Sequence, residues 1–346
     1  MKSILASFTS GYKPTLAELT TLLGCCDKEA QQLWECAATA ACERFGRRVY
    51  LRGLIEISSY CKNDCYYCGL RASNRCAERY RLSSEQILEC CERGYRRGLR
   101  TFVLQGGEDN YWSDERLVPL VSTIHSRYAD AAITLSLGER SDESYRALKA
   151  AGATRYLLRH EAANTALYAT LHPQSMSQQS RLHATKTLLS LGYQTGMGMM
   201  IGVPNQSLEH IAEDIELITR FDAQMVGIGP FIPHPDTPFA NHKAGSIELT
   251  LNAIAITRLL MPSALIPATT ALATLCNGDH SRAILAGANV IMPNLSPASV
   301  RSKYAIYRDK ASSGSEAVEG IESLEAELRA IDYTINYDRG DYNDNI

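Results

Sequence analysis

The sequence predicts an α/β fold, a (β/α)8 barrel with an N-terminal helical cap and a C-terminal helical appendage. Short apolar stretches typical of buried strands alternate with stretches of helical period from residue 46 to about residue 300. Eight strands with a helical crossover between each pair imply parallel pairing and, at that number, a barrel. An open, doubly wound sheet is the alternative that the pattern leaves open.

The strand-like stretches cover residues 49–57, 101–104, 133–137, 156–158, 196–201, 225–228, 265–268 and 290–292. The helix-like stretches between them cover residues 83–97, 114–127, 142–151, 164–191, 207–221, 249–260 and 280–286. Several of these helices stop at a glycine, such as Gly98 or Gly152, which is the usual helix-ending residue. Residues 14–45 predict two amphipathic helices with no strand.

Three segments follow from this order. Residues 1–46 are predicted as the N-terminal helical cap, residues 47–307 as the barrel, and residues 308–346 as an acidic C-terminal extension. The extension carries ten Asp and Glu against four Lys and Arg, whereas the whole chain has a net charge of only −3. We expect the extension to be a solvated helix with a frayed end.

The composition excludes several classes of protein. With 45% hydrophobic and 21% charged residues, the chain is not intrinsically disordered. A net charge of −3 predicts no nucleic-acid partner, and the lack of any run of about 18 apolar residues predicts no membrane span. The first 14 residues lack the apolar core of an export signal, so we expect a cytoplasmic protein. The odd number of cysteines, eleven, argues against a disulfide framework.

Unusual residues cluster directly after the predicted strands, where barrel enzymes place their chemistry. Three cysteines follow the first strand, and Gln105-Gly106-Gly107-Glu108 follows the second. Later strands are followed by Gly138-Glu139, Arg159-His160-Glu161, a proline-rich stretch at 229–236, Thr269-Thr270 and Pro293-Asn294. These loops predict one composite site at the carboxyl ends of the strands.

The strongest motif is Cys61-x3-Cys65-x2-Cys68. Three thiolates on one loop can hold three irons of a [4Fe–4S] cluster, which usually takes four cysteines, and the remaining iron stays open to a catalytic ligand. A structural zinc site with Cys76 as fourth ligand is disfavoured because only one Cys-x2-Cys pair is present. Three unligated core thiols are the other alternative. We expect most of the eight remaining cysteines to be small hydrophobic fillers.

The cysteine motif, with the aromatic Tyr67 before its last cysteine, resembles that of the radical S-adenosylmethionine (SAM) superfamily. The resemblance becomes closer over residues 48–307, where seven segments are similar to the HydE family, the radical SAM maturases of [FeFe]-hydrogenase. These segments are YLRGLIEIS, TFVLQGGED, TLSLGE, RYLLRHE, MVGIGPFIPHPDTP, IPATTA and GANVIMPNLSP.

This resemblance implies a radical SAM enzyme with two cofactors, one [4Fe–4S] cluster on Cys61, Cys65 and Cys68 and SAM on its open iron. It implies that reduction cleaves SAM to a 5′-deoxyadenosyl radical. Glu161 would then bind the ribose hydroxyls and Arg181 the SAM carboxylate, chemistry that suits a carboxylate and a planar guanidinium. The remaining implied cofactor-binding residues are Tyr67 beside the adenine and Gln105, Gly106, Gly107 and Glu108 at the methionine amino group.

The resemblance also implies a small-molecule substrate, a cysteine-bound iron carbonyl cyanide unit that the radical attacks at sulfur, and other hydrogenase maturases as partners. The positions that match anion or carboxylate sites inside the family's barrel are Thr134, Arg155, Arg159, Thr269, Thr270 and Tyr304. Arg155 and Arg159 are four residues apart on one strand, so we expect them to face the same side. Buried arginines need acidic partners. A substrate carboxylate would supply one, and an internal pair of Arg159 with Glu108 or Glu161 is the alternative.

The chain departs from the family pattern at its C-terminal end. Some HydE proteins carry a second cysteine cluster near the region that corresponds to residues 308–325, but this stretch contains no cysteine here, so we expect no second cluster. Two other functions stay open: a lysine mutase like methylornithine synthase (PylB), and a non-catalytic scaffold for an iron–sulfur precursor. We expect His160 to be a hydrogen-bonded core histidine.

Overall fold

The computed structural model describes residues 12–310 and 316–343. Residues 1–11, which carry most of the expectation about an export signal, lie outside the described residues, as do residues 311–315 and 344–346 of the acidic extension. Among the described helices, none is both long enough and apolar enough to cross a membrane.

The strands of the described residues are β1 (Arg48–Leu51), β2 (Gly53–Ser58), β3 (Thr101–Gly106), β4 (Ala132–Ser136), β5 (Ala153–Leu157), β6 (Gln194–Ile201), β7 (Met225–Pro230), β8 (Val290–Ile291) and β9 (Thr334–Asn336). Strands β2 to β7 form a parallel six-stranded sheet in chain order. A second, three-stranded parallel sheet has the order β8–β1–β9. The predicted α/β class with parallel strands is confirmed.

The α-helices of the described residues are α1 (Leu16–Leu23), α2 (Asp27–Phe45), α3 (Ser84–Arg96), α4 (Asp114–Arg127), α5 (Asp142–Ala150), α6 (Thr165–Leu171), α7 (Gln178–Ser190), α8 (Leu208–Arg220), α9 (Ile247–Leu260), α10 (Thr270–Leu275), α11 (Ser281–Ile284), α12 (Ala298–Arg301) and α13 (Ile321–Arg329). Several begin with a side-chain cap that satisfies a free backbone amide, as Ser83 does for α3 and Ser207 for α8. The two helices predicted over residues 14–45 are present.

Strand alternation separates the main core from the barrel interior. On β3, Phe102 and Leu104 belong to the main hydrophobic core, so the intervening residues Val103 and Gln105 point to the opposite face. On β4, Ile133 and Leu135 likewise belong to that core, which leaves Thr134 on the interior face.

The part of the sheet between β7 and β2 is joined by single bridges instead of full strands. Met225 pairs with Leu265, Pro267 with Val290, and Leu54 with Asn294, all in parallel. The predicted strand 265–268 is therefore reduced to bridges, because Pro267 has no amide hydrogen to continue a ladder. The predicted first strand is divided at Arg52: its first half pairs with β8 and β9 and its second half with β3.

Two other expectations differ from the structure. The helix predicted over 164–191 is divided into α6 and α7 by His172 and Pro173, since the residue before a proline avoids helical geometry. The acidic extension contains more than a solvated helix: a 3-10 turn (Val318–Gly320) and α13 are followed by β9, which pairs in parallel with β1. The domain boundaries at residues 46 and 307 stay a prediction.

Candidate active site

The cysteine loop, residues 60–81, leaves β2 at its carboxyl end and is tied to distant parts of the chain. The amide of Lys62 donates to the carbonyl oxygen of Glu108 at 2.8 Å, and the amide of Gly69 donates to that of Ile306 at 2.9 Å. Within the loop, the Arg79 guanidinium donates to four backbone carbonyl oxygens, among them that of Leu70 at 2.9 Å. The chain's own hydrogen bonds therefore fix the loop conformation.

The three motif thiols are half-buried on this loop, whereas Cys76 is exposed. Burial raises the pKa of Cys61 and Cys65 and raises that of Cys68 to about 12. Within residues 12–310 and 316–343, no three Cys, His, Asp or Glu side chains surround a point that one metal ion could occupy. Three thiols on one loop are the donor set of a multi-iron cluster, because each thiolate binds a different iron.

The loop after β3 packs backbone against backbone on the cysteine loop. A Cβ atom added at Gly107 would lie 2.3 Å from the carbonyl oxygen of Tyr60 and 2.6 Å from Cβ of Cys61. Gly138, at φ +73°, makes room in the same way for Glu108, whose Cγ would lie 2.0 Å from an added Cβ. Gly107 thus lets the backbone after β3 approach the cysteine loop, and Gly138 leaves space for the Glu108 side chain.

Glu108 and Arg181 lie in one charged group with Glu139. Arg181, on α7, pairs with Glu139 at 2.6 Å and lies 3.8 Å from Glu108, which also pairs with Lys62 at 3.3 Å. Burial disfavours the charged guanidinium, but its neighbours, Glu139 first and then Tyr168 and Glu108, together outweigh burial and raise the pKa of Arg181. A polar cavity of about 330 Å³ adjoins this group and is lined by Lys62, Glu108, Glu139 and Arg140.

Glu161 follows β5 in a conformation that L-residues rarely adopt, with φ +66°. Its Oε2 lies 3.1 Å from Nη2 of Arg159, but neither atom has a hydrogen-bond partner among the described residues. The structure therefore corresponds to the alternative of an internal Arg159–Glu161 pair. It also leaves hydrogen-bonding capacity on both groups, because Nε of Arg159 has no such partner either.

The turn that carries Glu161 is held from behind by two fully buried groups, His160 and Asp214. Oδ1 of Asp214 lies 3.0 Å from Nε2 of His160 and accepts from the amide of Ala163 at 2.5 Å. The amide of Gly198 donates to Nδ1 of His160 at 3.3 Å, so the imidazole proton is on Nε2. The prediction of a hydrogen-bonded core histidine is confirmed.

Tyr67 belongs to a small apolar cluster beside the cysteine loop. The cluster contains Tyr168 and Phe231, and the Tyr67 hydroxyl lies 3.2 Å from Nε2 of His172. Burial raises the pKa of Tyr67 and lowers that of His172 to about 4. Both side chains are therefore neutral near pH 7, and their rings lie at 86° to each other beside the cysteine loop.

The interior face of the barrel carries Gln105 and Thr134. Nε2 of Gln105 donates to the hydroxyl of Tyr304 at 3.4 Å. Thr134 is buried, and its hydroxyl has no hydrogen-bond partner among the described residues. Such a hydroxyl is available to a ligand in the barrel.

Thr269 and Thr270 begin α10 at the same end of the barrel. Thr269 caps the helix, and its Oγ1 would lie 2.8 Å from a Cβ atom added at Gly229. Thr270 donates to Oε2 of Glu316 at 2.7 Å, and Oε1 of Glu316 pairs with the buried His280 at 2.7 Å. The start of the acidic extension is therefore fixed to a predicted substrate position.

Arg155 is a predicted site residue that contacts the C-terminal extension. It is fully buried in the middle of β5, and its guanidinium pairs with Asp341 at 2.7 Å and donates to the carbonyl oxygens of Arg339 and Gly340 and to Oγ1 of Thr101, the first residue of β3. Arg159 lies about 13 Å further along the chain, because a strand advances about 3.3 Å per residue. The two arginines thus have different partners, Asp341 for Arg155 and Glu161 for Arg159, and an anion-binding role for Arg155 stays a prediction.

Two residues to which the sequence assigned no role also belong to the group, Glu139 from the segment TLSLGE and Asp214 from outside every motif. Glu139 holds Arg181, and Asp214 holds the turn before Glu161. Glu56 lies in the fully buried strand β2, and the sequence signal for it is a single charge within an apolar run.

Comparison with known proteins places these residues in a family. Residues 55–218 match the Radical SAM superfamily model. The chain is 45% identical to the [FeFe] hydrogenase maturase subunit HydE of Thermotoga maritima over 77% of this chain and 75% of that protein. It is 31% identical to 3-methylornithine synthase of Methanosarcina barkeri over 86% of this chain and 84% of that protein. A crystal structure of methylornithine synthase (PylB) superimposes with a TM-score of 0.81 at 26% identity, over 96% of this chain and 97% of that one.

Proposed function

We propose a substrate and residue roles for this protein from the premise that the chain belongs to the HydE family of the radical SAM superfamily. It is a radical SAM enzyme that uses a [4Fe–4S] cluster and SAM, with a role in [FeFe]-hydrogenase maturation. The observation that carries the proposal is the 45% identity to a HydE maturase together with the charged group around the cysteine loop.

The chain's residues fit both cofactors. Bound together, the cluster and SAM supply a 5′-deoxyadenosyl radical inside the barrel. In the proposed arrangement Cys61, Cys65 and Cys68 hold the cluster, and Tyr67 provides a flat face for the adenine. Support comes from the fixed loop conformation and from the neutral Tyr67–His172 contact at 3.2 Å.

The remaining cofactor contacts are proposed for residues 105–108, Glu161 and Arg181. Residues 105–108 receive the methionine amino group; support comes from the contacts of Glu108 with Lys62 of the cysteine loop, through its carbonyl oxygen at 2.8 Å and its carboxylate at 3.3 Å. Arg181 receives the SAM carboxylate, since its guanidinium stays charged although it is buried. Glu161 receives the ribose hydroxyls through an oxygen with no hydrogen-bond partner among the described residues.

The proposed substrate is a cysteine-bound iron carbonyl cyanide unit. The 5′-deoxyadenosyl radical would form a C–S bond to its sulfur while the bond between that sulfur and the cysteine Cβ breaks, so that the cysteine carbon skeleton leaves with the unpaired electron. The anionic groups of this unit fit Arg159 and Thr134, because both have donors without hydrogen-bond partners among the described residues. Thr269, Thr270 and Tyr304 surround the same end of the barrel. Other hydrogenase maturases are the proposed partners that supply and accept this unit.

A lysine mutase is the second candidate, favoured by the similarity to methylornithine synthase. A lysine substrate would need a carboxylate for its ammonium group. Glu108 and Glu139 each lie beside Arg181, and Glu161 lies beside Arg159. Because these acids already have cationic partners, the site favours an anionic substrate.

The test uses reconstituted, reduced protein with SAM under anaerobic conditions. A synthetic cysteine-bound iron dicarbonyl cyanide complex is supplied in one tube and lysine in a parallel tube. We expect consumption of the iron complex and an adenosyl group on its sulfur, detected by mass spectrometry. A branched isomer of lysine with an unchanged iron complex would contradict the proposal. Cys65→Ala is the control that should abolish product because it removes a cluster ligand.

A further inference from the structure

Residues 304–310, the mouth segment, cross the carboxyl end of the barrel after the last barrel strand. The carbonyl oxygen of Ile306 accepts from the amide of Gly69 at 2.9 Å, one residue after the last motif cysteine. The amide of Arg308 donates to the carbonyl oxygen of Pro233 at 3.2 Å, in the loop after β7. The mouth segment is therefore fixed to two sides of the site.

The mouth segment ends by placing Lys310 against the interior of the barrel. Nζ of Lys310 lies 2.7 Å from Oε1 of Glu56 on β2, and the two side chains are 7% and 0% exposed. The same Nζ lies 5.5 Å from the centre of the Tyr304 ring. Oε2 of Glu56 accepts from Nδ2 of Asn294 at 2.9 Å. This ion pair is among the most deeply buried of the described residues.

The pair lies directly beside predicted substrate positions. Glu56 is aligned across the β2–β3 ladder with Gln105, which donates to the hydroxyl of Tyr304. Burial, the Glu56 charge and the neighbouring Cys68 and Cys61 thiols together raise the pKa of Tyr304, so the thiols and the pair share one neighbourhood.

Stability alone gives a poor account of such a pair. Removing two charges from water costs several kcal/mol per ion, and apolar replacements of buried pairs are often neutral or stabilising. An ammonium group has three N–H donors. Among the described residues, the contacts of Lys310 are one carboxylate oxygen and one ring face, which leaves donor capacity at the barrel interior.

We propose that Lys310 is a substrate-binding residue whose ammonium group donates a hydrogen bond to an anionic end of the substrate. The acceptor is the cyanide nitrogen or the cysteine carboxylate of the iron complex, so the inference rests on the proposed function. Glu56 keeps the ammonium charge paired before the substrate arrives and holds it in position afterwards. The substrate site then contains two cations, Arg159 after β5 and Lys310 from the C-terminal part of the chain.

The experiment measures equilibrium binding of the synthetic iron dicarbonyl cyanide complex to the reconstituted protein by infrared spectroscopy. We expect Lys310→Met to weaken binding about 10- to 100-fold, the loss expected for a hydrogen bond between charged groups, and Lys310→Arg to recover part of it. A Glu56→Gln/Lys310→Met double variant removes both charges and covers the case in which the single variant does not fold. Lys303→Met is the matched control, because Lys303 pairs with Glu78 and belongs to neither cofactor nor substrate site.

Isotope labels identify the acceptor. In Lys310→Met, a shifted C–N stretch of bound, labelled cyanide assigns the contact to the cyanide, and a shifted carboxylate stretch assigns it to cysteine. Unchanged affinity and unchanged bands in both the single and the double variant would overturn the role of Lys310. If wild-type protein itself fails to bind the complex, the proposed function fails first, and this outcome is distinct from a defect confined to the variants.

Discussion

Removing the carboxylate of Asp214 should release the turn that presents Glu161. Oδ1 of Asp214 accepts from His160 and from the amide of Ala163, and both Asp214 and His160 are fully buried. Asp214→Ala leaves two donors unpaired, at about 1–3 kcal/mol each, so the free energy of unfolding should fall by about 2–6 kcal/mol. Asp214→Asn keeps an acceptor oxygen in place, so its free energy of unfolding should fall by less than half as much as that of Asp214→Ala.

The effect on function is separable from the effect on stability. The left-handed backbone of Glu161 carries about 1–2 kcal/mol of strain that the turn must hold. Once Asp214 is removed, this strain is released, so we expect at least an approximately tenfold rise in the Kd for SAM, equal to about 1.4 kcal/mol.

The assay pairs equilibrium SAM binding with urea unfolding of the reconstituted protein. Glu216→Ala is the control, because Glu216 is exposed on the same helix, α8. Wild-type SAM affinity in a folded Asp214→Ala protein would refute the argument that Asp214 positions Glu161.

Two further predictions concern the C-terminal segment. Asp341→Asn removes the counterion of the fully buried Arg155. Because Asp341 is 41% exposed and two carbonyl contacts of Arg155 remain, the free energy of unfolding in urea should fall by only about 1–3 kcal/mol. Asp338→Asn is the matched control. An equal fall in the free energy of unfolding in both variants would contradict the argument that Asp341 is the counterion of Arg155. Burial opposes the charge on His280, but its carboxylate partners, Glu316 first, outweigh burial and raise its pKa to about 9. The folded pKa lies above the unfolded value of about 6.5, so this stabilisation is complete below pH 6.5 and lost as pH rises through 9. In His280→Gln, Tm should therefore decrease less between pH 7 and 9.5 than it does in the wild-type protein. An equal decrease in both proteins would contradict a stabilising contact between charged His280 and Glu316.

Local sequence patterns predicted most of the fold because each strand and helix has its own periodicity. The pattern did not predict that Pro267 would reduce one strand to bridges, nor that three residues of β9 would pair with β1. A three-residue strand has too little alternation to stand out from a loop. Its pairing depends on a partner strand near the other end of the chain.

The candidate site was predictable where residues are neighbours in sequence and less so where they meet only in space. The cysteine loop and Glu108 follow from short motifs. The partners of Arg155 and Glu56 do not, because Asp341 and Lys310 are distant in the chain and lie in a segment with no recognisable motif. Strand spacing predicts a shared side for two residues of one strand but does not predict which partners each side chain meets.

The position of β1 between β8 and β9 has a consequence for synthesis on the ribosome. Strand β1, the first strand of the described residues, finds both of its hydrogen-bonding neighbours in the last two described strands, β8 and β9. Until those strands are made, both of its edges remain unpaired, and unpaired strand edges promote association with other chains. Pairing of this sheet can therefore be completed only after residues 290–336 have been synthesised.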